Sequence, residues 1–253
     1  MTYCFILGHN PTLSIAEISQ VLKEDFRVVE LSTHILIIES QKELPAEKLQ
    51  QRFGGTIKIG QIIKTSANQD LLAFRADIID LLKQARLDSA AQSRLDKKIF
   101  FGFSLYPLAP HELLNKYHSQ IKVLAMETKK ALKKISLSSR WVSSKDESLS
   151  SVVVQKNKLL TQGAEFCFLV SHNKIYLAKT LSCQQVDEYS HYDFGRPARS
   201  MKQGMLPPKL AKIMINLAQA PQTGLILDPF CGAGTILQEA IMMGYRHLIA
   251  TDI

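Results

Sequence analysis

The residues with the most chemical content lie near the C-terminus, in Leu225-Ile226-Leu227-Asp228-Pro229-Phe230-Cys231-Gly232-Ala233-Gly234-Thr235. An acid closes an apolar strand pattern, two glycines follow, and a helical pattern begins at once. Glycine suits such a turn because the backbone bends tightly there and a ligand can approach amide groups that a Cβ would shield. The dinucleotide fingerprint GxGxxG is not met, because Leu237 stands at its third glycine, and a phosphate loop would end in Gly-Lys-Ser/Thr. The uncharged surroundings of the glycines fit S-adenosylmethionine, whose zwitterionic tail and sulfonium would lie close to backbone amides and the Asp228 carboxylate. A second apolar strand pattern, His247 to Ile253, carries Asp252, which stands 24 residues after Asp228. An acid at about 20 residues accepts from ribose hydroxyls in nucleotide-binding folds. Cys231 is more often a small buried filler than a nucleophile, and no His or Asn is arranged in sequence to activate it.

The elements that must position this loop read as half of a parallel α/β unit: strand, glycine turn, helix to Met243 with Gly244 as its stop, strand. Upstream, Pro207 and Pro208 fix the first turn of another helix in GMLPPKLAKIMINLA. The first 183 residues read differently, as an α+β module with mostly antiparallel pairing. Strands are expected at Tyr3–Leu7, Val28–Leu31, Ile35–Glu39, IKIGQII and Ile99–Leu105, then at Arg140–Ser143, Ser151–Gln155, Glu165–Val170 and Lys174–Thr180. Helices are expected at Leu13–Leu22, with Thr12 or Ser14 as cap, and at Ala46–Phe53, Asp70–Ala85 and Ser119–Ile135.

The charge is localised. Residues 1–90 hold 10 basic and 11 acidic side chains, 91–180 hold 15 and 6, and 181–253 hold 6 and 6, so the middle third carries the whole excess of +8. A concentrated positive field is what a polyanion-binding surface needs. On the Ser119–Ile135 helix, Ile121, Leu124, Ala125, Thr128, Ala131, Leu132 and Ile135 take the apolar spacing, while Lys122, Lys129, Lys130, Lys133 and Lys134 take the rest. A single surface lysine is ordinarily a solubilising charge. Five on one helix, followed by Arg140, Lys145, Lys156 and Lys158, point to nucleic acid.

Composition excludes several classes. With 46% hydrophobic and 21% charged residues, the 253-residue chain is an ordinary globular one. No apolar run approaches the roughly 18 residues of a membrane span, and Met1–Gly8 lacks a signal peptide's basic start, so a cytoplasmic location is expected. Cys4, Cys167, Cys183 and Cys231 show no metal-ligand spacing and should be reduced thiols.

DPFCGAGT with the trailing TDI resembles the cofactor loop and acidic loop of class I RNA methyltransferases, and RPARSMKQGMLPPKLAKIMINLA resembles the helix segment that precedes them. FILGHNPTLSIAEI and LSSVVVQKNKLL, the latter followed by an apolar hairpin, resemble the ferredoxin-like region and the closing half of the THUMP domain in the THUMP-domain tRNA guanine N2-methyltransferases. The resemblance implies a ferredoxin-like region at 1–45 and a THUMP-like RNA-binding domain at 46–183. Residues 184–253 would then hold a linker, a helix and the first βαβ of an incomplete Rossmann-like methyltransferase domain. It further implies that Asp228, Gly232 and Gly234 form the S-adenosylmethionine loop with Cys231 and Thr235 in its wall. Asp252 would hold the ribose, and Pro208, with Pro207 and Lys209, would start the covering helix. Arg196 and Arg199, with Lys202, would approach RNA or the cofactor carboxylate.

One departure bears on mechanism. The family acts through an Asp or Asn followed by Pro-Pro and an aromatic residue, whereas the only Pro-Pro here is Pro207-Pro208, upstream of the glycine loop and without acid or aromatic. The expectation is therefore the front part of a longer tRNA methyltransferase, inactive by itself, with a weakly stable segment 220–253. Two alternatives stay open: a non-catalytic RNA-binding module, and an amino-methyltransferase acting on ribosomal RNA or DNA. The resemblance does not decide whether an activator subunit takes part.

Overall fold

In the computed structural model, described for all residues except 24, 91–97, 186–205 and 253, the first 183 residues build one eight-stranded sheet. Its strands are β1 (Thr2–Leu7), β2 (Phe26–Leu31), β3 (Ile35–Ser40), β4 (Thr56–Ser66), β5 (Ile99–Pro107), β6 (Ser139–Val142), β7 (Gly163–Val170) and β8 (Ile175–Cys183). They lie in the order β2-β3-β1-β4-β8-β7-β5-β6. All neighbours are antiparallel except β5, which runs parallel to both β6 and β7.

Alternation explains why the central strands are apolar at every position. On β1, Tyr3, Phe5 and Leu7 face a core shared with helices α1 (Pro11–Leu22) and α2 (Ala46–Arg52), while Cys4 and Ile6 face the opposite side. On β5 and β7, Phe101, Phe103, Phe166 and Phe168 pack under α3 (Arg75–Ala90) and α4 (His118–Lys134). The face without these helices closes on itself. Cys4, Ile6, Ile35 and Ile37 from one half of the sheet pack with Cys167, Leu169 and Tyr176 from the other, and the Tyr176 hydroxyl donates to Glu30 on β2 at 2.7 Å. Strands β2 and β8 stand four places apart, about 19 Å in a flat sheet, so this bond requires strong curvature.

Inside the curl sits a buried ion pair. Lys58 on β4 meets Glu165 on β7 and donates to the Leu149 carbonyl at 2.6 Å, while Ser104 and Thr180 donate to the Glu165 carboxylate at 2.6 and 2.7 Å. Such a pair persists only when its remaining valences are satisfied in this way.

Three expectations are corrected. Ser151–Gln155 is not a strand but helix α5 (Ser151–Lys156), because the Ser150 hydroxyl accepts from Val153 N and caps the first turn while Val154 is driven into the core. That arrangement overrides the β preference of three successive valines. Neither Thr12 nor Ser14 caps α1. Asn10 holds that position without a side-chain bond, and the Ser14 hydroxyl donates to the Asn10 and Gly55 carbonyls. The helix expected to start at Asp70 opens as a 3-10 turn, Leu71–Phe74, because the Asp70 side chain accepts from Leu72 N.

The C-terminal part holds helix α6 (Pro208–Leu217), β9 (Leu225–Asp228), α7 (Thr235–Met242) and β10 (His247–Ala250). Strands β9 and β10 are parallel, with Asp228 opposite Ala250. Helix α6 packs on both α1 and α7 and so joins the two parts.

Candidate functional site

The glycine turn leaves the end of β9 and enters α7. Gly232 (φ 47°) and Gly234 (φ 73°) both lie in the left-handed region, Gly234 at the cap of α7, which is a conformation that costs other residues about 1–2 kcal/mol. Nothing lies within 4 Å of where a Cβ on Gly232 would point, and only the Leu237 side chain, at 3.8 Å, comes near one on Gly234. Backbone torsion and not crowding thus accounts for both glycines, and the space beside them is open to a ligand. Asp228 is buried at the strand end, and its carboxylate accepts from Phe230 N at 3.2 Å, setting the turn. Cys231 N and the Thr251 carbonyl (3.0 Å), and Thr251 N with the Asp228 carbonyl (3.0 Å), tie the turn to the end of β10.

The turn therefore brings together Asp228, Cys231, Gly232, Gly234 and Thr235, the last buried at the start of α7. Asp252 stands two residues beyond β10 and is exposed, where the sequence placed it inside the strand. Cys231 is half-exposed and not the buried filler expected, because the loop lifts it off the sheet. Pro207 caps α6 and Pro208 is its first residue, as the proline rule requires. Arg196, Arg199 and Lys202 lie outside the described residues. The open cradle at Gly232 fits an S-adenosylmethionine tail, with the Asp228 and Asp252 carboxylates at and just beyond the ends of the two strands beside it.

The second candidate surface is the basic one. On α4, Leu124, Ala125, Thr128 and Leu132 are buried, and Lys122, Lys129, Lys130, Lys133 and Lys134 are exposed. Lys129, Lys130 and Lys133 line a groove of about 520 Å³ with Met126, Ser136, Leu137, Ser138 and Ser139. No acid lines it, although Glu127 reaches Lys130 at 3.0 Å and Arg75 at 3.3 Å from beside it. The Lys130 ammonium and, behind it, the Arg75 guanidinium and the Lys134 ammonium hold the Glu127 carboxyl below its ordinary value. Arg140 follows on β6 and is exposed, and Lys156 and Lys158 are exposed at the end of α5, away from the groove lining. The serines were not singled out in the sequence, although the run Ser136-Leu137-Ser138-Ser139 directly after a lysine-rich helix is a legible signal for hydroxyl donors beside cations.

A third cavity, about 580 Å³, opens at the seam between α2, β8 and the ends of α6 and α7. None of the glycine-turn residues lines it. Among the described residues no group of three or more His, Cys, Asp or Glu could hold a metal, and no helix is long and apolar enough to cross a membrane.

Comparison with known proteins bears on the C-terminal part most strongly. Residues 196–251 match the family model described as the RMKL-like methyltransferase domain. Over 65 residues the chain is 43% identical to a tRNA (guanine(10)-N2)-dimethyltransferase of Methanothermobacter thermautotrophicus, covering 25% of this chain and 19% of that protein. Over 87 residues it is 32% identical to the protein of the same name from Methanocaldococcus jannaschii, covering 34% and 24%. Among solved structures, TrmN from Thermus thermophilus aligns over 99% of this chain and 64% of its own with a TM-score of 0.51 and 14% identity, a likeness of fold. The matched stretches thus span about a fifth to a quarter of these two curated relatives. The chain is thus similar, over these stretches, to an RMKL-like methyltransferase domain and to two tRNA (guanine(10)-N2)-dimethyltransferases.

Proposed function

We propose that the protein transfers a methyl group from S-adenosylmethionine to the exocyclic amine of a guanine in tRNA. Residues 1–45 would form its ferredoxin-like region, 46–183 a THUMP-like RNA-binding domain, and 184–253 the linker, helix and opening βαβ of its catalytic domain. The observation that carries this reading is the turn with two left-handed glycines beside open space, set between the buried Asp228 and the start of α7. Asp228, Cys231, Gly232, Gly234, Thr235 and Asp252 would hold the cofactor, with Pro208 beginning the covering helix. When bound, the cofactor supplies an electrophilic methyl group. Lys122, Lys129, Lys130, Lys133, Lys134, Arg140, Lys156, Lys158, Arg196 and Arg199 would neutralise tRNA phosphates. A guanine amine has its lone pair delocalised into the ring, so the target base would need acceptors and a stacking surface after leaving its helix.

A second reading is favoured by one observation: Lys129, Lys130 and Lys133 line a groove with no acid in its lining. Under that reading this chain binds RNA without turnover. Incubation with methyl-labelled S-adenosylmethionine and tRNA, ribosomal RNA and DNA oligonucleotides tests both. Label transferred to tRNA guanine supports the first reading. Saturable tRNA binding with neither transfer nor cofactor binding supports the second, and transfer to DNA or ribosomal RNA alone contradicts both.

A further inference from the structure

Helix α6 is attached to the RNA-binding sheet by a buried polar contact that the proposed chemistry does not use. The Glu17 carboxylate on α1 is fully buried and receives three donors: Gly54 N at 2.8 Å and Asn216 Nδ2 at 2.7 Å on one oxygen, Gly55 N at 2.9 Å on the other. Asn216, on α6, also donates to the Arg52 carbonyl at 3.1 Å and accepts from Arg52 Nε at 2.9 Å. Lys212, one turn earlier, donates to the Gln51 carbonyl at 2.8 Å. The backbones touch as well: a Cβ on Gly54 would fall 2.0 Å from the Lys209 carbonyl oxygen, so no other residue fits there. Glu17 and Asn216 are 199 positions apart, so the contact is tertiary in origin.

A carboxylate can meet all three donors without presenting a hydrogen of its own. A merely adhesive interface between two helices would be served by apolar side chains, which carry no desolvation cost. A polar lock instead admits one orientation. Through α6 and the α7 packed on it, that orientation sets where the glycine turn stands relative to the lysine groove, both being joined to the same sheet.

We propose that Glu17 and Asn216 are positioning residues: their contact fixes the span between the RNA-binding groove and the methyl-donor turn, and so selects which nucleotide of a bound RNA can be reached. The selection rests on the RNA methyltransferase reading, whereas the locked geometry does not. Spin labels at Asp146→Cys, in the sheet module, and Arg246→Cys, after α7, in a Cys231→Ser background of the full chain, read the span by pulsed electron resonance without RNA or cofactor. The expected result is one narrow distance in the parent. Asn216→Asp, which sets a second carboxylate on Glu17, loses that single peak while tRNA affinity is kept. Should Asn216→Asp fail to fold, Glu17→Gln, which turns an amide N–H toward one of the three donors, is read in the same way. An unchanged narrow distance in the variant overturns the lock. A photo-crosslinker at Arg246→Cys then reads the selection on bound tRNA: a few nucleotides in the parent and a spread at equal affinity in the variant are expected. An unchanged pattern despite a broadened distance overturns the selection alone, and absence of tRNA binding in the parent overturns the RNA reading while leaving the lock standing.

Discussion

Two regions of the molecule treat their apolar residues in opposite ways. In the sheet module, β7 is buried at every position and the curled face encloses an ion pair whose side chains are at most 2% exposed. In the C-terminal unit, Leu225, Leu227 and Ile249 are 58, 60 and 47% exposed, and Phe230 beside the glycine turn is 74% exposed. Helix α7 covers one face of β9 and β10 through Ile226, Ile236 and Leu248, while the other face has no cover among the described residues. Under the proposed function, the contrast separates two kinds of work. A surface that grips a large polyanion needs a rigid base, whereas a turn that admits a small cofactor needs unfilled space around its backbone.

The largest effect should come from breaking the module's own interior. Lys58→Met leaves the buried Glu165 without its cation, so unfolding free energy should fall by about 3–5 kcal/mol. Denaturant titration checks this, and a near-neutral result would mean that the curled face is looser than the packing indicates. Next, amide exchange should divide the chain: β7 and β8 exchange only through global opening, while β9 and β10, with one bare face, exchange through local opening. Equal protection in both would erase the comparison. A smaller effect is expected from Gly232→Ala, at about 1–2 kcal/mol of local strain. It should weaken S-adenosylmethionine binding, measured by calorimetry, and leave the module's urea midpoint unchanged.

The smallest effect concerns pH. Burial pushes the Glu17 carboxyl above its ordinary range, and the Gly54 and Gly55 amides and Asn216 pull it part of the way back. Between the unfolded value and this raised one, the folded chain keeps a proton that the unfolded chain has released. The stabilisation is complete below the unfolded pKa and is lost as pH rises through the folded one. The urea midpoint should therefore decline gently across that acidic window, and Glu17→Gln should remove the decline.

How much of this was legible in the sequence follows from where each signal resides. The glycine turn was legible because strand end, acid, glycines and helix start are contiguous, from Leu225 to Thr235. The two faces of α4 were legible because helical periodicity is local; only Ile135, 46% exposed at the helix end, left the expected buried face. Ser151–Gln155 reads as a strand because three valines carry a strand preference that a single cap and one buried Val154 reverse. The bond from Tyr176 to Glu30 and the contact from Asn216 to Glu17 span 146 and 199 positions and leave no local trace. Thus the pieces of both candidate sites could be read, while the curvature and the lock that hold them relative to one another could not.

The central claim is that the groove of α4 and the serines after it form the RNA-gripping surface. The most direct test is the salt dependence of tRNA affinity for the parent and for the Lys129→Glu, Lys130→Glu, Lys133→Glu variant. Each phosphate contact contributes roughly one unit to the slope of log affinity against log salt, so the variant's slope should be shallower by about three. An identical slope in the two proteins would contradict the account.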